Sequence, residues 1–173
     1  MSESSEAPGE TGPRKPGPEI QRLGALVGRW RSNGHVVGDP AVPIAGTDTY
    51  EWLDGGFFLV HRVDVVVGDQ PVQALEMIGE HDPNTDSFTA RAFDNEGNVT
   101  TMRATVDDQG VWTFAGGADI APAARPSSSD EGGAVRSTLT VSADRTSMTA
   151  KWERADGGST WQPWMDMNFT RIS

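Results

Sequence analysis

Apolar and polar residues alternate with a period of two along most of the chain after residue 29. Such alternation predicts strands with one buried face. Most connections between these segments are two to five residues long and rich in Asp, Asn and Gly, which suits antiparallel neighbours and leaves no room for crossover helices. The predicted strands span residues 30–37, 44–53, 57–67, 72–81, 87–93, 99–106, 111–115, 134–142, 147–154 and 160–171.

Three segments depart from this pattern. In residues 18–27, Ile20, Leu23 and Leu26 recur at helical spacing and Gly28 follows them, which predicts one short N-terminal helix. Residues 1–17 are mostly Ser, Glu, Gly and Pro, and we predict a disordered tail there. Residues 116–133 are rich in small residues and predict a long flexible loop.

A run of about ten hairpin-connected strands leaves two open sheet edges unless the sheet closes on itself. Closure removes both edges. The sequence therefore predicts one all-β domain over residues 18–173, a closed up-and-down antiparallel β-barrel with a short helix before its first strand.

Composition and charge narrow the classes of partner. The formal net charge is -11, of which the tail contributes -1, from three Glu against one Arg and one Lys. So acidic a surface repels phosphate backbones and anionic headgroups, which argues against nucleic acid and membranes. The chain has no cysteine, and no apolar run approaches the length of a signal core or a membrane span. We expect a cytoplasmic protein and leave a homo-oligomer open.

Several sequence blocks carry a family resemblance. The segment LGALVGRW runs a predicted helix into a Gly-x-Trp motif ending at Trp30. In order after it come YEWLDGGFFLVHR, IGEHDPNTDSFTARAFDNEG and a closing aromatic strand. This set resembles the DUF1579 family of calycin-like (lipocalin-like) bacterial proteins, whose activity is undefined. The resemblance implies a barrel in which Trp30 closes the base under an Arg of the last strand, here Arg171.

Nitrobindins are also calycin-like barrels opened by Gly-x-Trp, and they bind haem through a His near the C-terminus. The last forty residues here contain no His, and the three histidines are His35, His61 and His81. No two of them have metal-ligand spacing. We therefore expect neither haem nor another cofactor, and no metal site.

The predicted third strand offers the clearest candidate for chemistry. Arg62 and Asp64 share one face of it, which should be the solvent face, so His61 points inward. A neutral imidazole there can serve as acid, base or hydrogen-bond partner, or be an ordinary satisfied core histidine. Tyr50 and Trp52 share a face of the preceding strand, and could form an aromatic wall beside His61 with the Tyr hydroxyl as a polar handle.

Two further features are ambiguous from sequence. Glu76 and Arg91 lie in successive strands and could pair inside the barrel or on its surface. Leu75 and Met77 compete with Glu76 for the interior, which favours the outward arrangement. The last two strands are rich in large soft residues, which suit a flat hydrophobic ligand or simply fill a core: Trp152, Trp161, Trp164, Met165 and Met167, with Asp166 on the Trp164 face.

Three function hypotheses follow. The leading one is a binding module that holds a small hydrophobic or aromatic molecule in a lumen walled by Tyr50, Trp52, Leu59, His61, Met77 and Trp152. The alternative is a cofactor-independent isomerase or cyclase with His61 and Tyr50 as catalytic residues for proton transfer. The third is a filled barrel that acts as an interaction domain through its acidic surface.

Overall fold

The computed structural model describes residues 12–116, 133–155 and 160–173. Within these ranges ten antiparallel strands form one closed barrel, in which each strand pairs with its neighbours in sequence and the first pairs with the last. The strands are β1 (Gly28–Val36), β2 (Val42–Trp52), β3 (Leu59–Val67), β4 (Gln70–Asp82), β5 (Ser87–Asp94), β6 (Val99–Val106), β7 (Val111–Gly116), β8 (Ala134–Val141), β9 (Ser147–Ala155) and β10 (Gln162–Arg171).

The all-β closed barrel is confirmed, and every predicted strand matches an observed one to within two residues at each end. The predicted helix is also present. It begins as α1 (Pro18–Gln21) and continues as a 3₁₀ turn over Arg22–Ala25. Neither helical segment of the described chain is long and apolar enough to cross a bilayer. The predicted tail up to residue 11 and the predicted loop between residues 117 and 132 lie outside the described residues.

The helix closes one end of the barrel. Leu23 and Leu26 are fully buried and belong to the same core as the inward strand residues. Trp30 at the start of β1 is also fully buried, and its Nε1–H donates to the carbonyl oxygen of Leu26 at 3.1 Å. The Arg171 guanidinium carbon lies 5.2 Å from the centre of the Trp30 ring. The closure of the base that the family resemblance implied is therefore present.

Truncating this guanidinium tests how much the closure contributes. We expect Arg171→Ala to lower the free energy of unfolding by about 0.5–2 kcal/mol, because a partly desolvated cation–π contact is lost. Urea denaturation followed by tryptophan fluorescence measures the change. Arg31→Ala is the matched control, since Arg31 is exposed on the outer face of the same barrel end, and it should stay within about 0.5 kcal/mol of the wild type. Equal losses in both variants would contradict the assignment.

The two halves of the barrel interior differ in accessibility. Near the helix the inward side chains are closed off from solvent, among them Leu59, Ile78, Phe88, Ala104 and Trp112. Toward the other end many inward side chains are only partly buried against the core, including Val36, Val67, Val72, Trp152 and Met165. Among the described residues, the helix thus fills one end of the barrel, and several inward side chains toward the opposite end are only partly buried.

Candidate functional site

Four polar side chains from β1 to β4 form a connected group inside the barrel. His61 lies between two carboxylates, with Nε2 2.7 Å from Asp48 Oδ1 and Nδ1 3.0 Å from Glu76 Oε1. The Ser32 hydroxyl donates to the second oxygen of Asp48. We call Ser32, Asp48, His61 and Glu76 the interior polar cluster.

The strand register brings this cluster together. Tyr50 of β2, His61 of β3 and Glu76 of β4 stand directly opposite one another across two successive strand pairs. Asp48 precedes Tyr50 by two residues and therefore shares its inward face. The Tyr50 ring stacks on the imidazole with 3.9 Å between centroids and 7° between planes. The pairing of adjacent strands therefore positions the other cluster residues, each one strand away from the next.

The geometry around His61 fixes its charge. Both ring nitrogens face carboxylate oxygens, and only the imidazolium has an N–H on each nitrogen to donate. Burial lowers the pKa of His61, but its hydrogen bonds to Asp48 and Glu76, together with the charges of these carboxylates, outweigh burial and raise the pKa from 6.5 to about 9. His61 is therefore a cation at neutral pH. By formal charge, the cluster sets two carboxylates against one imidazolium, an excess of one negative charge.

Two polar atoms of this site have no hydrogen-bond partner among the described residues: the hydroxyl of Tyr50 and the second carboxylate oxygen of Glu76, Oε2. Every described side-chain polar atom that is sealed from solvent has a partner. These two atoms therefore face accessible space, although Tyr50 is only 4% and Glu76 only 7% exposed. Burial, followed by the charges of Asp48 and Glu76, raises the pKa of Tyr50 well above 10, so its hydroxyl keeps its proton.

The six residues predicted to wall the lumen do not form one surface. Tyr50 and His61 are in contact, as predicted. Leu59 is fully buried at the helix end. Trp52 lies beside the helix, with its ring 3.7 Å from the position that a Cβ on Gly24 would take. Trp152 is partly buried in the second half of β9, where it packs edge-on against Trp164.

The predicted faces of β4 were wrong. Glu76 points inward, whereas Met77 lies on the outer face opposite Val60 and the exposed Arg91. Glu76 and Arg91 are therefore on opposite faces and cannot pair. The register decides the matter, because Glu76 stands opposite the inward His61.

Asp166, whose face the sequence left open, is on the outside. It stands opposite Lys151, and its carboxylate is 3.8 Å from His35 Nε2. Both of these side chains are about half exposed. Neither His35 nor Asp166 contributes to the interior polar cluster.

Two cluster residues were not singled out from the sequence. Asp48 shares the face of Tyr50 and Trp52, which were predicted to point inward, so the alternation already placed a carboxylate inside. Ser32 likewise follows Trp30 by two residues. A buried acid needs a partner, and His61 on the next strand was the available one.

The remaining histidine belongs to a second polar group at the helix end. His81 Nε2 is 2.8 Å from Asp86 Oδ1, and Arg22 Nη1 donates to Asp86 Oδ2 at 3.1 Å. The Arg22 hydrogen bond, followed by that of His81, lowers the pKa of Asp86 to about 2. Asp86 is 62% exposed and borders an open hollow of about 420 Å³ outside the barrel. This group joins the helix to the β4–β5 turn.

Comparisons with known proteins agree with this fold. The model of the DUF1579 family, a protein family of unknown function, matches residues 15–171, and the chain belongs to that family. The crystal structure of Rv2717c from M. tuberculosis is similar to this barrel with a TM-score of 0.66, covering 92% of this chain and 100% of that chain. Sequence identity between the two is 16%, so the likeness shows a shared fold alone. No curated protein matches the sequence.

Proposed function

We propose that the barrel binds a small, largely apolar molecule in its lumen and holds the polar end of that molecule at the interior polar cluster. The observation that carries this proposal is a pair of polar atoms inside the barrel, the Tyr50 hydroxyl and Glu76 Oε2, that have no hydrogen-bond partner among the described residues. An apolar cavity with a few convergent polar groups is the usual form of a small-molecule site.

Binding is better supported than the catalytic hypothesis. A general acid or base must reach the proton that it transfers, and both ring nitrogens of His61 already contact carboxylates of the protein. We infer that His61 is a positioning residue, which fixes Glu76 and presents its second oxygen to the lumen. The predicted catalytic role of His61 and Tyr50 stays a prediction.

The same geometry favours a ligand other than haem. Haem iron binds an unprotonated ring nitrogen with a free lone pair, and the imidazolium form of His61 has no such nitrogen. His35 lies on the outer face beside Asp166, and His81 lies at the closed helix end.

Lumen binding can be tested with N-phenyl-1-naphthylamine, a neutral probe whose fluorescence rises in apolar surroundings. Ala92 stands directly opposite Glu76 on the inward face of β5 and is partly exposed. We expect Ala92→Phe to weaken probe binding at least about tenfold, or ~1.4 kcal/mol, because the added ring occupies the lumen.

Thr138→Phe is the matched control, since it adds the same ring on the exposed outer face of β8. Its probe affinity should stay within about twofold of the wild type. Equal weakening in both variants, or a wild-type barrel that excludes the probe, would refute lumen binding. Exclusion of the probe would instead support the interaction-domain hypothesis.

A further inference from the structure

The titratable side chains at the floor of the lumen are unbalanced in charge. Among the described strand residues, the cluster provides two acids, Asp48 and Glu76, and one base, His61. Two arginines of the described strands stand at inward register positions: Arg171 lies under Trp30 at the closed base, and Arg154, opposite Val135 at the far end of β9, is exposed beside Trp164. At the other rim, the Asp94 carboxylate is bonded within its own turn, to Asn98 and the backbone. The lumen floor is thus net negative.

The carboxylate oxygens of the cluster differ in the hydrogen bonds that they accept. Asp48 accepts from His61 with one oxygen and from Ser32 with the other. Within the described residues, Glu76 accepts a hydrogen bond with Oε1, from His61, and none with Oε2, while its side chain is 9% exposed. Glu76 Oε2 is therefore the place where a ligand can meet the excess charge. A buried charge is costly unless it is paired and hydrogen-bonded, so a cation bound there would stabilise the cluster.

This arrangement discriminates between ligand classes. A carboxylate or phosphate entering the lumen would approach Glu76 and a second buried carboxylate, and like charges repel strongly in a low-dielectric site. An ammonium group would instead donate a charge-assisted hydrogen bond to Glu76 Oε2. The Tyr50 ring stacks on His61, and its hydroxyl, which stays protonated, is a second polar group of this site.

We propose that the ligand of this barrel is an amphiphilic amine, with an apolar body in the half of the lumen opposite the helix and a cationic nitrogen on Glu76 Oε2. The inference rests on the proposed function and adds the chemical class of the ligand to it.

Three ligands of equal chain length test the class directly: octylamine, octanol and octanoate, each competing at pH 7 against N-phenyl-1-naphthylamine. We expect octylamine to displace the probe at least about tenfold more effectively than octanol, and octanoate to be the weakest. This comparison uses the wild-type protein and needs no variant to fold.

Two variants, each lacking one negative charge, distinguish the effect of Glu76 in the lumen from that of the acidic outer surface. Glu76→Gln keeps the shape and an acceptor oxygen, and it should reduce the preference for octylamine over octanol to within about twofold. Asp64→Asn removes a charge from the exposed outer face of β3 and should preserve the preference. Equal affinity for amine and alcohol in the wild type, or equal effects of the two variants, would overturn the amine proposal. Failure of the probe to bind at all would overturn the proposed function and the amine proposal together.

Discussion

Replacing His61 with alanine is expected to lower the free energy of unfolding by about 3–5 kcal/mol at pH 7, because removing one partner leaves buried charge uncompensated. The side chains of Asp48 and Glu76 are 7% and 9% exposed, and His61 bridges them at 2.7 and 3.0 Å. Without the imidazolium, two largely buried carboxylates remain close together with no cation between them. Urea denaturation followed by tryptophan fluorescence measures the loss.

His35→Ala is the matched control for this variant. His35 is 45% exposed and its Nε2 is 3.8 Å from the equally exposed Asp166, so removing it should cost no more than about 0.5 kcal/mol. Adding Asp48→Asn to His61→Ala removes one of the two stranded charges and should restore part of the stability. A loss for His61→Ala no larger than that for His35→Ala would show that the cluster does not hold the acids as charged groups.

The fold was readable from the sequence because its signals are local. Alternation of apolar and polar residues defines each strand, and the short Asp-, Asn- and Gly-rich turns make the neighbours antiparallel. The inward orientation of His61 was readable for the same reason, since Arg62 and Asp64 mark the opposite face of its own strand. Such features need no information from elsewhere in the chain.

The rest of the cluster was not readable, because it depends on pairing between strands. Leu75 and Met77 outweigh Glu76 in any count of hydrophobic residues on β4, yet they face outward and remain only partly buried. What turns Glu76 inward is its position opposite His61 in the β3–β4 register. Asp48 was passed over for a related reason, since an acid within a strand is normally a surface residue and only its bond to His61 explains its burial.

Stability should also depend on pH in a way that the raised pKa of His61 dictates. The pKa of His61 is about 9 in the folded protein against 6.5 as its ordinary value. Between these values the folded state binds more protons than the unfolded state, so the free energy of unfolding falls as pH rises. The contribution of His61 is fully present below pH 6.5 and is lost as pH passes through about 9. A shift of this size corresponds to ~3 kcal/mol.

Urea denaturation at several pH values from 6.5 to 9.5 measures this loss, and the range ends below the titration of Tyr50, whose pKa is also raised. His61→Gln should flatten the pH dependence, whereas His35→Gln should keep that of the wild type. If the free energy of unfolding still falls with rising pH in His61→Gln, the group that loses its proton is not His61. A wild type without any fall would mean that His61 is neutral in the folded protein and that one carboxyl carries the shared proton, which would also remove the excess negative charge from the lumen floor.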